Sequence, residues 1–147
     1  MADETNQLRV RLVTPERTLF EHSASAVELP AKSGYMEVFY GAAPLLTELG
    51  AGEVTVHGGA ATESGGPGSV ERYNVSWGFV EVLPDRVTIL ATDALKPEEI
   101  DVQRAQQQLD RGHKEWDKAG DSEEAYTEAL HVIAEAEAKL ASAAQKQ

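Results

Sequence analysis

The chain has no cysteine among its 147 residues. This absence excludes disulfides, cysteine-ligated zinc sites and cysteine nucleophiles. No uninterrupted apolar run is longer than three or four residues, whereas a membrane-spanning helix needs about 20. The acidic and polar start, MADETNQ, also lacks the basic and apolar segments of a secretory signal. We therefore expect no secretory signal and no direct insertion into a membrane.

Basic residues are scarce, because 13 Lys and Arg stand against 25 Asp and Glu, giving a net charge of −12. An acidic chain without a basic stripe is repelled by nucleic acids and by anionic lipids. Neither is therefore an expected partner. The remaining composition, 41% hydrophobic and 26% charged, is typical of a globular protein.

A change of composition near Asp93 divides the chain into two predicted domains, residues 1–93 and 94–147. The first holds ten of the 12 glycines and five of the six prolines. Its short alternating segments predict strands at 8–12, 18–21, 26–29, 36–40, 53–57, 72–76, 79–83 and 86–91. Strands at this spacing predict a β-sandwich or flattened barrel. Pro84 and Asp85 predict a tight turn, across which Val80 and Val82 face Val87 and Ile89.

A glycine-rich stretch, GGAATESGGPGS, occupies residues 58–69. It lacks the Gly-Lys-Ser/Thr ending that places a lysine on phosphate. We therefore predict a hairpin connection at this position and not a phosphate-binding loop.

The second region, residues 94–147, predicts an antiparallel helical hairpin. Pro97 suits a first helical turn, and Asp121 with Glu124 predicts a capping box for the second helix. The two predicted seams are Val102, Ala105, Leu109, Gly112 and Trp116, and Tyr126, Ala129, Ile133, Ala136, Leu140 and Ala143. Because alanine offers little apolar surface to bury, we expect this pair to be marginally stable alone. It needs a second surface, either the strand domain or a partner.

No pattern of catalytic residues is present. The four histidines, His22, His57, His113 and His131, lack the HxH and HExxH spacings of metal ligands. The serines do not form a GxSxG elbow, and the paired glutamates are explained by solvated helix starts. We therefore predict neither a metal site nor enzymatic activity.

Seven motifs occur in an order that resembles one known family. They are LVTPERTLF at residues 12–20, AVELP at 26–30, GYMEV at 34–38, GAAPLLT at 41–47, VSWGFVEV at 75–82, DRVTILA at 85–91 and IDVQRA at 100–105. Together they resemble the epsilon subunit of the bacterial F-type ATP synthase. The resemblance implies two packed sheets of about ten strands followed by two helices, in agreement with the pattern of apolar residues.

The resemblance also implies a function. It is that of a non-catalytic rotor subunit in the central stalk, which couples proton translocation to ATP synthesis. The implied partners are the gamma subunit, the ring of c subunits and, through the C-terminal helices, the alpha and beta subunits of the catalytic head. The implied location is peripheral, at the cytoplasmic face of the bacterial inner membrane.

One segment matches the family's loop that faces the c ring. By this resemblance Gly34, Tyr35, Met36 and Glu37 are candidate c-ring contacts, with Glu37 offering a charge to the polar loops of the ring. The alternative interpretation of the same residues is a plain hairpin turn.

A second segment matches a motif associated with ATP in some members. By the resemblance Ile100, Asp101, Arg104 and Ala105 are candidate ATP-binding residues. Asp101 and Arg104 can instead simply pair across one helical turn.

The second helix departs from the ATP-binding members. It carries Glu135 and Lys139 where those members supply arginines, and Glu135 repels a polyphosphate. We therefore expect no bound cofactor. Lys139 is the one basic residue between 122 and 144, against five acids, so we also expect weak or absent inhibition of ATP hydrolysis by charge attraction. Two alternatives stay open, an ATP-sensing regulatory module and an unrelated β-sandwich enzyme or sugar-binding module.

Overall fold

The structure is a computed structural model that describes residues 7–58 and 70–144. The chain divides into two compact units, the strand unit Met1–Leu95 and the helical unit Lys96–Gln147. The strands are β1 Leu8–Val13, β2 Thr18–Ala24, β3 Ala26–Ala31, β4 Gly34–Phe39, β5 Leu45–His57, β6 Val70–Leu83 and β7 Arg86–Leu95. A 3-10 turn at Pro97–Glu99 precedes α1, Val102–Lys118, and α2, Glu123–Ala144.

The strands form one hydrogen-bonded sheet in the order β2-β1-β7-β6-β5-β3-β4. The pairing of β1 with β7 is parallel, and the other neighbouring strands are antiparallel. Alternation sets the inward face: Leu8, Val10 and Leu12 are fully buried, whereas the two arginines between them are exposed. Every strand contributes side chains to a single apolar core. A continuous sheet can surround one core only by folding over on itself, so the strand unit is a two-layer sandwich.

The three longest strands pass through both layers. Residues 45–49, 78–83 and 86–91 pair beside β1 and β2 in the first layer. Residues 52–57, 70–76 and 93–95 pair on the side of β3 and β4 in the second layer. The outward faces of the two layers are therefore separate surfaces of the same unit.

A corner in β6 marks the passage between the layers. Tyr73 and Val75 point inward before the corner, and Val80 and Val82 point inward after it, so the alternation changes phase. Trp77 has a φ of 59° at this point. Gly78 has a φ of 133°, and a Cβ there would collide with the carbonyl oxygen of Leu90. The corner therefore requires glycine at position 78.

The prediction of a β plus α fold is confirmed, but the strand number of about ten is wrong. The structure has seven strands in its described residues. The segments predicted at 72–76 and 79–83 are one strand, because the corner bends β6 without ending it. Strand β5 begins at Leu45, well before the predicted start at Glu53. Strand β7 continues to Leu95, past the domain boundary that we predicted at Asp93.

The hairpin predicted around Pro84 and Asp85 is confirmed. Val80 pairs with Ile89 and Val82 with Val87 across it. The connection predicted at residues 58–69 lies, apart from Gly58, outside the described residues. The strands that flank it are antiparallel neighbours, with His57 opposite Val70.

Both helix starts differ in detail from the prediction. Pro97 lies in the separate 3-10 turn, and Asp101 is the N-cap of α1, where its Oδ1 accepts a hydrogen bond from the Arg104 backbone N–H at 3.1 Å. Ser122, and not Asp121, caps α2: its Oγ accepts from the Ala125 backbone N–H at 3.2 Å. Two adjacent residues both suited to capping explain the error, since either side chain satisfies a free N–H group.

The helices form an antiparallel pair along the middle of the predicted seam, but Val102 at one end is exposed, and Ser142 is buried beside the predicted Ala143 at the other. A Cβ at Gly112 would lie only 2.7 Å from Ile133 Cγ1, so the two backbones approach closely there. At the loop end, the rings of Trp116 and Tyr126 meet edge to face with centroids 4.8 Å apart. The buried seam residues are small, namely Ala105, Gly112, Ala129 and Ala136.

Candidate partner-binding surfaces

The predicted c-ring segment, residues 34–37, is the start of the edge strand β4. A turn at Lys32 and Ser33 joins it to β3. Successive side chains of the strand point to opposite faces: Tyr35 and Glu37 are exposed, whereas Met36 packs against the core. Only Tyr35 and Glu37 of the four candidates therefore offer large side chains to a partner.

Tyr35 is exposed and yet fixed. Its side chain is 64% exposed, and its hydroxyl accepts a hydrogen bond from the Glu53 backbone N–H at 3.0 Å. The residue next to Glu53 is Gly52, where a Cβ would lie 2.5 Å from the same hydroxyl and 2.8 Å from Pro30 Cβ. Glycine at position 52 therefore makes room for the hydroxyl. A fixed, exposed aromatic ring loses little entropy when it binds a partner.

A second surface lies on the outward face of the first layer. Leu46, Phe79 and Leu90 are 71%, 54% and 51% exposed, and we call them the outer-face patch. Phe79 is directly opposite Leu90. Leu46 is opposite Glu81 and so lies diagonally from Phe79, within reach of an aromatic side chain. Grouped large apolar side chains on a surface are typical of partner-binding sites.

Acidic side chains border the outer-face patch. Glu48 is opposite Phe79 and Glu81 is opposite Leu46, and both are exposed. Lys32 Nζ lies 3.3 Å from Glu48 Oε2. Lys32 compensates the charge of Glu48, so the border is a polar rim around an apolar centre, as is typical of protein interfaces.

Sequence reasoning did not single out the outer-face patch. It placed Phe79 and Leu90 in strands and predicted only that the neighbouring Val80 and Val82 face Val87 and Ile89 across the hairpin. The available signal was that Phe79 and Leu90 are apolar residues on the outward phase of their strands. Alternation alone assigns such residues to a surface, and their size then indicates a partner.

The candidate ATP residues lie at the start of the helical unit. Ile100 and Ala105 are buried, with 7% and 2% exposure, and Arg104 is exposed. The predicted alternative of an ion pair between Asp101 and Arg104 takes a different form, because Asp101 accepts from the backbone of Arg104. The Asp101 carboxylate is thus already used to cap α1.

The opposing residues on α2 neutralise each other. Lys139 Nζ lies 2.9 Å from Glu135 Oε1, and both side chains are mostly buried. A lysine in such an ion pair has its charge compensated and is a poor phosphate ligand. Its position therefore gives no support to a polyphosphate site.

Several known proteins are similar in sequence to this chain. The family model "ATP synthase, Delta/Epsilon chain, beta-sandwich domain" matches residues 7–97. The ATP synthase epsilon chain of Solibacter usitatus is 40% identical over 140 residues, which cover 95% of this chain and 97% of that relative. The ATP synthase epsilon chain of Koribacter versatilis is 40% identical over 111 residues, covering 74% and 71%.

Solved structures share the fold. A chain of the Euglena gracilis mitochondrial ATP synthase has a TM-score of 0.72 at 20% identity, covering 92% of this chain and 81% of that one. A chain from the central stalk and c ring of the Tetrahymena thermophila mitochondrial ATP synthase has a TM-score of 0.66 at 15% identity, covering 92% and 96%.

A sandwich of the delta/epsilon type followed by a helical hairpin defines the class of this protein. The chain belongs to the ATP synthase delta/epsilon chain family. The resemblance to the epsilon subunit, predicted from seven sequence motifs, is confirmed. Within residues 7–58 and 70–144, neither helix has the length and apolar character needed to cross a membrane.

Proposed function

We propose that this chain is a non-catalytic subunit of the central stalk of an F-type ATP synthase, where it helps to couple proton translocation to ATP synthesis. The observation that carries the proposal is the match of residues 7–97 to the delta/epsilon family, together with an ATP synthase epsilon chain that aligns over 95% of this chain. The expected partners are the gamma subunit and the c ring.

The two layers suit two partners. The outer-face patch on the first layer is the gamma-binding surface, since its apolar centre of Leu46, Phe79 and Leu90 is the kind of surface that a stable interface buries. Tyr35 and Glu37, on the second layer, are the c-ring contacts. Tyr35 supplies a fixed ring and Glu37 supplies a charge.

The proposed contact with the c ring also supports a proposal for the location of the chain. A subunit that contacts the c ring lies beside the membrane without entering it. We therefore propose a peripheral location at the cytoplasmic face of the bacterial inner membrane.

The helical unit is a regulatory unit with a weakened electrostatic role. Five acids lie between residues 122 and 144, and the single lysine there is paired with Glu135. A helix of this charge gains no attraction from acidic surfaces on a partner. The ATP-sensing alternative is not favoured, because Asp101 caps α1 and Lys139 is compensated.

Co-expression with the gamma subunit of the same organism tests the stalk role. The full chain should co-purify with gamma in equal amounts and remain bound through gel filtration. Separate elution of the two chains would contradict the proposal, and would also remove the role assigned to the outer-face patch.

A further inference from the structure

Three side chains of the types that can ligate a metal, from different strands, lie close together on the second layer. They are Glu28 of β3, Glu37 of β4 and His57 of β5, and their ligand atoms all lie within 4.8 Å of one another. His57 Nε2 is 2.9 Å from Glu28 Oε1. The register explains the meeting, since Glu28 is opposite Glu37 on one side and opposite Thr55, two residues before His57, on the other.

The charges of these three side chains, which we call the triad, favour the binding of a cation. Two carboxylates that face each other directly across two strands repel. The triad carries a net negative charge whether or not the imidazole is protonated. Arg72, which is opposite Thr55 in the same row, directs its Nε toward Glu53 Oε1 at 3.6 Å. The guanidinium of Arg72, the positive charge nearest in register, therefore interacts with Glu53 and not with the triad.

The ligand types indicate which cation. One imidazole nitrogen and two carboxylate oxygens form a donor set that Zn²⁺ accepts at about 2.0–2.2 Å. Magnesium and calcium favour sites made entirely of oxygen, and imidazole selects zinc, copper and nickel. The atoms lie close enough for side-chain rotations to bring all three onto one ion.

We propose that Glu28, Glu37 and His57 form a divalent transition-metal site that binds Zn²⁺. The side chains of His57 and Glu28 are 34% and 44% exposed, so the ion reaches the site from solvent and keeps at least one position for water. Bound zinc links β3, β4 and β5 and stabilises the folded chain by mass action. The site needs no partner subunit, but it shares Glu37 with the proposed c-ring contact, so zinc and the ring would compete for that carboxylate.

Titration of the isolated full-length chain with Zn²⁺ tests the proposal. We expect saturable binding of one ion per chain, a rise of the thermal midpoint with zinc concentration, and no competition from a tenfold excess of Mg²⁺. His57→Gln should weaken binding at least tenfold, and Glu37→Gln should also weaken it. His113→Gln, which alters an exposed histidine of α1, is the matched control and should bind as the unaltered chain does.

A measurement on the unaltered chain guards against a variant that fails to fold. The ring signals of His57 in NMR spectra should shift on zinc addition, and those of His113 should not. Absence of saturable binding, or equal affinity of the His57→Gln and unaltered chains, would overturn the proposal. Either result would leave the binding of gamma untouched.

Discussion

The strand unit and the helical unit bury very different side chains. The strand unit encloses large apolar residues such as Leu8, Leu29 and Ile89, all fully buried. The helical pair is lined mostly by alanine and glycine. Since each buried CH₂ contributes about 0.8 kcal/mol and each ordered residue costs about 1–2 kcal/mol of backbone entropy, the strand unit is the stable body. Because its buried residues are small, we still expect the helical unit to depend on a second surface.

The two units also use glycine differently, and a matched pair of substitutions measures the difference. Gly78→Ala should lower the free energy of unfolding of the strand unit by more than about 3 kcal/mol, because a positive φ costs about 1–3 kcal/mol and the added Cβ meets the Leu90 carbonyl. Urea unfolding followed by Trp77 fluorescence in a Trp116→Phe background measures it. A loss below 1 kcal/mol would mean that the corner adapts easily.

Gly112→Ala should cost the helical unit less. Alanine is the better helix former by about 1 kcal/mol, whereas the added Cβ lies 2.7 Å from Ile133 Cγ1 and 3.2 Å from Val132 Cγ1. Overpacking costs about 1–3 kcal/mol. The cost here lies at the low end, because the ends of the Ile133 and Val132 side chains can move away from the added Cβ. We expect a net loss of about 1 kcal/mol by urea unfolding followed by helical circular dichroism. A stabilised variant would show that the helices are not held closely at this position.

Substitutions at the N-cap of α2 should have a smaller effect on stability, and the neighbouring Asp121 provides a control. Ser122→Ala should destabilise the helical unit by about 1 kcal/mol, because the Ala125 N–H loses its acceptor. Asp121→Ala should have little effect, since Asp121 precedes the cap. The same unfolding measurement ranks the two variants. If Asp121→Ala proved the more destabilising variant, Asp121 would be the cap, as the sequence predicted.

The smallest expected effect concerns regulation. Removing residues 96–147 from the assembled complex should change the rate of ATP hydrolysis by less than about twofold, because the acidic second helix gains little from charge attraction to the catalytic head. The ATPase rates of complexes assembled with the full and the shortened chain provide the measurement. A several-fold increase would show that these helices inhibit hydrolysis.

The features predicted correctly are those with a local repeat. Alternation identified β1 and the hairpin that pairs Val80 with Ile89, and the spacing of small residues identified the helical seam around Gly112. The corner at Trp77 and Gly78 was missed because a change of phase looks like the end of one strand and the start of another. The positive φ angles of Trp77 and Gly78, which bend the strand, correspond to no repeating pattern in the sequence.

The candidate sites show the same limit. Motif resemblance selected residues 34–37, but only the strand alternation in the structure separates exposed Tyr35 from core-facing Met36. Glu28, Glu37 and His57 lie far apart in sequence and meet through the register of three strands. Spacing rules for metal ligands on one element cannot detect such a group.

The affinity of the gamma subunit for two variants of β6 tests the central claim most directly. Phe79→Thr removes the centre of the outer-face patch, and Val70→Thr changes another exposed apolar residue of the same strand in the second layer. Calorimetric titration should show affinity lowered at least about tenfold for Phe79→Thr, which is about 1.4 kcal/mol, and unchanged for Val70→Thr. Equal affinities for Phe79→Thr and the unaltered chain would contradict the assignment of the first layer to gamma.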